Sequence, residues 1–89
     1  MNPQTREQVR LSLLRYLDAA AGRRNGLAES VLRQFLISEG FTLTNEELAA
    51  ELEYLRGKGL AAPAEKQISP ENRAWVITAE GRDHYAQFC

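Results

Sequence analysis

Apolar residues recur at helical spacing near the start of the chain. They fall on one side of a helix, and they are Val9, Leu13, Tyr16, Leu17 and Ala20, with Leu14 on the flank. Charged residues lie between them and point elsewhere, so the pattern predicts an amphipathic helix with one face against a core. Two starts are open for this helix. Asn2 with Pro3 suits a first turn, and so does Thr5, which has Gln8 at capping-box spacing.

A second apolar stripe follows a turn-forming segment at 22–26, which holds two glycines and an Asn-Gly pair. The stripe comprises Ala28, Val31, Leu32, Phe35 and Leu36. Its spacing predicts a second helix. Gly40 is expected to end that helix in a left-handed conformation, with Phe41 folding back on the last turn.

The third helix has the clearest start in the chain. Thr44 and Glu47 have the spacing of a capping box. In this motif the side chain of each residue accepts a hydrogen bond from the backbone amide of the other. Leu43 and Leu48 hold the two positions of a hydrophobic staple around this cap. The buried stripe of the helix is expected to comprise Leu48, Leu52 and Leu55. The helix is expected to stop near Gly59.

After Gly59 the pattern changes from helical to extended. The strand that follows is expected to place three residues on one face: Leu60, Ala62 and Ala64. Residues 69–72, Ser-Pro-Glu-Asn, have the composition of a tight turn, and residues 73–77 predict the returning strand. Pro63 is tolerated only at a sheet edge or a kink.

The predicted turn sets a register for this hairpin. Counting back from it places Lys66 opposite Trp75 and Ala64 opposite Ile77. Trp75 and Ile77 are then expected to cover the core. Thr78 caps a short last helix. The sequence therefore predicts an α+β fold that is mostly α, with three helices, a two-stranded β-hairpin and a short C-terminal helix.

Composition and charge limit the function more than the fold. The chain has 89 residues, which suits a single domain over 1–89. Eleven Lys and Arg stand against twelve Asp and Glu, a formal charge of −1, so any contact with nucleic acid has to be local. The only cysteine is Cys89, so no intramolecular disulfide is expected. No apolar run reaches the length of a membrane span and no signal peptide is recognisable, so we expect a cytoplasmic protein.

Two segments carry a resemblance to a known family. Residues 48–60, which end in Lys-Gly-Leu, are similar to the recognition helix of many bacterial winged-helix regulators. Residues 75–81 are similar to the strand exit of the same regulators, in which Ile or Leu is followed by Thr, any two residues and Gly. The likeness covers residues 27–88. The chain also resembles, more loosely, small winged-helix proteins of Mu-like transposable bacteriophages.

The resemblance implies a winged helix, a variant of the helix-turn-helix, that binds double-stranded DNA. Its third helix would lie in the major groove, and its hairpin would touch the backbone beside it. Basic residues then become candidate phosphate contacts: Arg23, Arg24, Lys58, Lys66 and Arg73. Asn45 is suited to read adenine. An ordinary scatter of surface charges explains these residues equally well.

The expected outer face of the third helix argues against DNA. It is centred on Glu46, Ala50, Glu53 and Gly57, with Glu51 on its flank. Carboxylates there oppose the attraction to phosphates that drives DNA binding, although acidic residues also suit a helix start. Winged helices also serve as protein-binding modules. The alternative is therefore an interaction module that presents Glu46, Ala50 and Glu53 to a protein partner, and a homodimer is compatible with either function.

No residue pattern points to catalysis, a cofactor or a metal site. The chain lacks a glycine-rich phosphate loop and a nucleophile with a plausible base. His84 is the only histidine and has no ligand cluster near it in sequence. Trp75 has two interpretations, stacking on a base or on Lys66, and packing in the core. Core packing is favoured, because Ile77 shares its face of the strand.

Overall fold

A computed structural model describes residues 2–23, 25–64 and 72–87. The elements in these ranges are α1 Pro3–Ala19, β1 Leu27–Ala28, α2 Glu29–Ser38, α3 Asn45–Gly57, β2 Ala61–Pro63, β3 Ala74–Ile77 and α4 Ala79–Ala86. The strands form one antiparallel sheet in the order β1-β3-β2. The fold is α+β and mostly helical, as predicted. Arg24, Lys66, Cys89 and most of the predicted turn lie outside the described residues.

The starts of α1 and α3 follow from local signals. Asn2 is the N-cap of α1, because its Oδ1 accepts a hydrogen bond from the amide of Thr5 at 2.8 Å. At α3 the capping box is complete. The amide of Thr44 donates to Oε1 of Glu47 at 2.9 Å, and the amide of Glu47 donates to Oγ1 of Thr44 at 3.1 Å. These bonds satisfy amides that the first turn of a helix leaves without a partner.

The chain between α2 and α3 also follows the prediction. Gly40 has a φ of 97°, and the amide of Phe41 donates to the carbonyl of Leu36 at 3.0 Å. Glycine takes this left-handed conformation without steric cost, which ends α2. Leu43 and Leu48 are both buried on the two sides of the Thr44 cap, as a hydrophobic staple requires.

The strand β1 was not predicted. Leu27 lies opposite Trp75 of β3, and Ala28 lies opposite Ala74. Ala28 therefore belongs to β1 and is the N-cap residue of α2. The prediction that it lies in the apolar stripe of that helix was wrong. Two residues are too few to show the alternation of a strand, and the pairing with β3 alone defines this element.

The register of the β2–β3 hairpin differs from the predicted one by three residues. Ala61 lies opposite Ile77, and Pro63 lies opposite Trp75. The prediction treated the connection as a tight turn close to both strands. In the structure β2 ends at Pro63, β3 begins at Ala74, and residues 65–71 between them lie outside the described residues.

This shift overturns the predicted pairs and the predicted face of β2. Ala64, the predicted partner of Ile77, follows the end of β2, and Lys66, the predicted partner of Trp75, lies outside the described residues. An odd shift turns every side chain to the other face of a sheet. Within β2, Ala61 is accordingly buried and Ala62 is partly exposed. Leu60 and Ala64 flank the strand: Leu60 packs against the core cluster, and Ala64 is buried.

The core lies between the first three helices and the sheet. Its most deeply buried side chains are Val9, Leu13, Leu14, Leu17, Leu32, Leu36, Leu48, Leu52, Leu55 and Trp75. Trp75 has no exposed surface and Ile77 packs against the cluster, so the prediction that both cover the core is confirmed. The stripe of α2 is narrower than predicted, since Val31 is 37% exposed and Phe35 is 41% exposed. Among the described residues no helix combines the length and the apolar character needed to cross a membrane.

Candidate functional site

The outer face of α3 carries most of the residues that the sequence singled out. Asn45, Glu46, Ala50 and Glu53 are all exposed, and the leucines on the opposite side of the helix are buried. The face is therefore acidic from Glu46 to Glu53. The backbone amide of Thr44 lowers the pKa of Glu47, which holds a further negative charge at the same end of the helix.

Glu51 does not belong to this face, and its predicted place on the flank was wrong. The residue is 5% exposed and binds α1: Nε of Arg10 donates to Oε2 of Glu51 at 2.8 Å. The same guanidinium lies 3.6 Å from the centre of the Tyr54 ring. A buried carboxylate needs such a partner, because an uncompensated charge is costly in a core. The spacing along α3 cannot reveal a partner on another helix.

Arg73, a predicted phosphate contact, is bound to two carboxylates. Its Nε donates to Oε2 of Glu29 at 3.2 Å, and its Nη1 donates to Oε1 of Glu53 at 3.0 Å. The guanidinium carbon lies 5.0 Å from the centre of the Trp75 ring. Arg73, a candidate DNA contact, is thus paired with Glu53, a candidate contact for a protein partner.

Glu29 is the central residue that the sequence analysis did not single out. Its Oε2 accepts a hydrogen bond from Nε1 of Trp75 at 2.8 Å, in addition to the bond from Arg73. One carboxylate at the start of α2 therefore satisfies the buried indole N–H and holds the arginine. A buried tryptophan needs a hydrogen-bond acceptor for its indole N–H. That need was the only sign in the sequence of a residue such as Glu29, and it does not indicate where in the chain the acceptor lies.

The remaining candidate phosphate contacts have different surroundings. Arg23 is exposed after the end of α1. Lys58 is exposed at the C-cap of α3, with its Nζ 5.7 Å from the centre of the Tyr54 ring. Arg24 and Lys66 lie outside the described residues. Arg56, which the sequence analysis did not single out, has Nη1 at 3.6 Å from Oε2 of Glu53.

The two segments that carry the resemblance meet in space. The hydroxyl of Thr78 donates to the carbonyl of Gly59 at 2.6 Å, and its oxygen accepts the amide of Gly81 at 2.9 Å. A Cβ on Gly81 would collide with the carbonyl oxygen of Leu60. The end of α3 and the start of α4 are therefore one packed unit, and this contact gives a physical reason for the threonine and the glycine of the motif.

Comparisons with known proteins give no family for this chain. No family model, curated protein or solved structure matches it. In the part of the chain that the structure describes, no group of three or more His, Cys, Asp or Glu side chains is placed to hold a metal ion.

Proposed function

We propose that this chain is a winged-helix DNA-binding protein, a small bacterial or phage transcriptional regulator. The order of its elements supports this proposal: a helix, a strand, two helices and a hairpin, with all described strands in one antiparallel sheet. The observation that carries it is the bond between Arg73 and Glu53, which joins the hairpin to the exposed face of α3. A winged helix needs these two elements side by side, because one enters the groove while the other follows the backbone.

In this proposal the affinity comes from phosphate contacts around α3. Lys58 contributes at the C-terminal end of the helix, and Arg73 contributes just before β3, at the loop end of the hairpin. Arg23, Arg24 and Lys66 extend the contacts along the backbone, and Asn45 reads a base. The glutamates on the outer face lower the affinity, because they lie close to phosphates. No catalytic step, cofactor or metal ion is part of the proposal.

One observation favours a second function, a protein-interaction module that does not bind DNA. The exposed surface of α3 presents Glu46, Ala50 and Glu53, and Arg73 already has two carboxylate partners. A partner with a basic surface would complement this acidic face. A homodimer through α1 or α4 is compatible with both functions.

A salt titration separates the two functions. The binding of the parent protein to a labelled duplex of random sequence is measured by fluorescence anisotropy from low to physiological salt. DNA binding predicts that the logarithm of affinity falls linearly with the logarithm of salt, by about 0.9 per phosphate contact. The double variant Glu46→Gln with Glu53→Gln should bind more tightly, since it loses two negative charges. If neither protein shows salt-sensitive binding at the lowest salt, the DNA-binding proposal is wrong and the interaction module replaces it.

A further inference from the structure

The guanidinium of Arg73 is held on several sides and is still accessible. Nε binds Glu29, Nη1 binds Glu53, and the guanidinium lies over the ring of Trp75. The side chain nevertheless remains 34% exposed. Arg73 therefore has a fixed position at the junction of the hairpin and α3, with part of its surface open to a ligand.

The two carboxylates that hold Arg73 are not equivalent. The side chain of Glu29 is 18% exposed and also binds the buried indole N–H of Trp75, so moving it would leave that donor without a partner. The side chain of Glu53 is 45% exposed, and its other cation, Arg56, is itself on the surface. Exposed ion pairs contribute little to stability. Glu29 is therefore a fixed support, whereas Glu53 is readily displaced.

We infer that Glu53 occupies the place on Arg73 that a DNA phosphate takes in the complex, and that it thereby restrains DNA binding. Carboxylates and phosphates both accept hydrogen bonds from the N–H donors of a guanidinium. A phosphate that binds the Nη1 hydrogen now bonded to Oε1 of Glu53 has to replace that carboxylate, while Glu29 continues to hold Nε. The inference rests on the proposed DNA-binding function, and it assigns the regulation of that site to one residue.

The inference differs from a general effect of acidic charge on α3. Any glutamate near the DNA repels phosphates, and removing it strengthens binding by a long-range effect that salt screens. Removing Glu53 has a further effect, because a phosphate then no longer has to displace a carboxylate from Nη1 of Arg73. Glu46 is the matched control: it lies on the same exposed face, and it forms no ion pair with any residue that the structure describes.

The test compares Glu53→Gln with Glu46→Gln in the full chain, using the same labelled duplex and the same salt series. Both variants lose one negative charge. We expect Glu53→Gln to bind DNA about fivefold more tightly than Glu46→Gln at low salt. This ratio corresponds to the free energy of a strong exposed ion pair. The slopes against salt should stay close to that of the parent, because Arg73 contacts one phosphate in each complex and Glu53→Gln removes only its competitor. Equal affinities for the two variants would overturn the inference.

A second set of variants tests whether Arg73 is the cation through which Glu53 acts. The gain from Glu53→Gln should fall to that of Glu46→Gln in an Arg73→Gln background and keep its full size in an Arg56→Gln background. Persistence of the full gain without Arg73 would contradict the inference. Circular dichroism checks that each variant is folded, and the comparison of the two glutamate variants decides the question even if Arg73→Gln does not fold.

The outcomes separate this inference from the proposed function. If the parent binds DNA and the two glutamate variants are equal, only the restraint by Glu53 is wrong. If the parent fails to bind but Glu53→Gln binds, the restraint is stronger than expected and the inference is supported. If no variant binds at the lowest salt, both the inference and the proposed function are wrong.

Discussion

At the scale of single residues, Glu29 connects burial with surface charge. The indole of Trp75 is fully buried, and its N–H has to find an acceptor within the protein. Glu29 provides that acceptor and at the same time fixes the guanidinium of Arg73. The surface arginine is thus positioned by the same residue that allows the tryptophan to be buried.

Replacing Glu29 should therefore destabilise the fold. Glu29→Ala leaves the indole N–H of Trp75 without its acceptor, and we expect a loss of about 1 to 3 kcal/mol in the free energy of unfolding. Glu29→Gln keeps an acceptor oxygen and should lose less. Denaturant unfolding can be followed by the fluorescence of Trp75, the only tryptophan in the chain. Equal losses for the two variants would show that the hydrogen bond does not contribute.

The capping box of α3 predicts a pH dependence. The hydrogen bond from the backbone amide of Thr44 lowers the pKa of Glu47 below its ordinary value of 4.5. Because the pKa is lower in the folded state, the stabilisation is complete above about 4.5 and is lost as the pH falls through the folded value. The melting temperature of the parent should therefore decrease over this acidic range by more than that of Glu47→Gln. Parallel pH profiles for the two proteins would contradict this assignment.

At the scale of elements, helix ends could be predicted from sequence and strand pairing could not. Asn2, Thr44 and Gly40 act on residues three to five positions away, so their signals lie within a few letters of the sequence. The register of the hairpin depends instead on where β2 stops and on the pairing of β1 with β3. These are long-range contacts, and counting from an assumed tight turn shifted the register by three residues.

The contact between the end of α3 and the start of α4 can be tested with two glycines. Gly81→Ala should destabilise the protein, because the new Cβ would collide with the carbonyl oxygen of Leu60. That oxygen belongs to the backbone, which cannot easily move away. Gly57→Ala is the control, since no atom lies within 4 Å of its Cβ position at the end of α3. That change should be neutral or stabilise by up to about 1 kcal/mol. Thermal unfolding that ranks the two variants in the opposite order would show that α4 does not pack as described.

At the scale of the whole molecule, the candidate site combines residues that are far apart in the chain. The acidic face of α3 could be predicted, because the apolar stripe of one helix defines its opposite side. The partners of Arg73 could not, since Glu29 is 44 residues away and Glu53 is 20 residues away. Net charge gives no better guide, because a formal charge of −1 does not reveal which cations are already bound to carboxylates.

Binding of DNA by a defined surface can be distinguished from attraction by the overall charge of the protein. Lys58→Ala and Arg73→Ala should each reduce the slope of log affinity against log salt by about one unit, because each removes one phosphate contact. Arg15→Ala is the control: it also removes one positive charge, but Arg15 lies on α1 and pairs with Glu39 after the end of α2. Its slope should stay that of the parent, with a small loss of affinity from the change in net charge. If Arg15→Ala changes the slope as much as Arg73→Ala does, the protein attracts DNA through its overall charge, and α3 and the hairpin are not the interface.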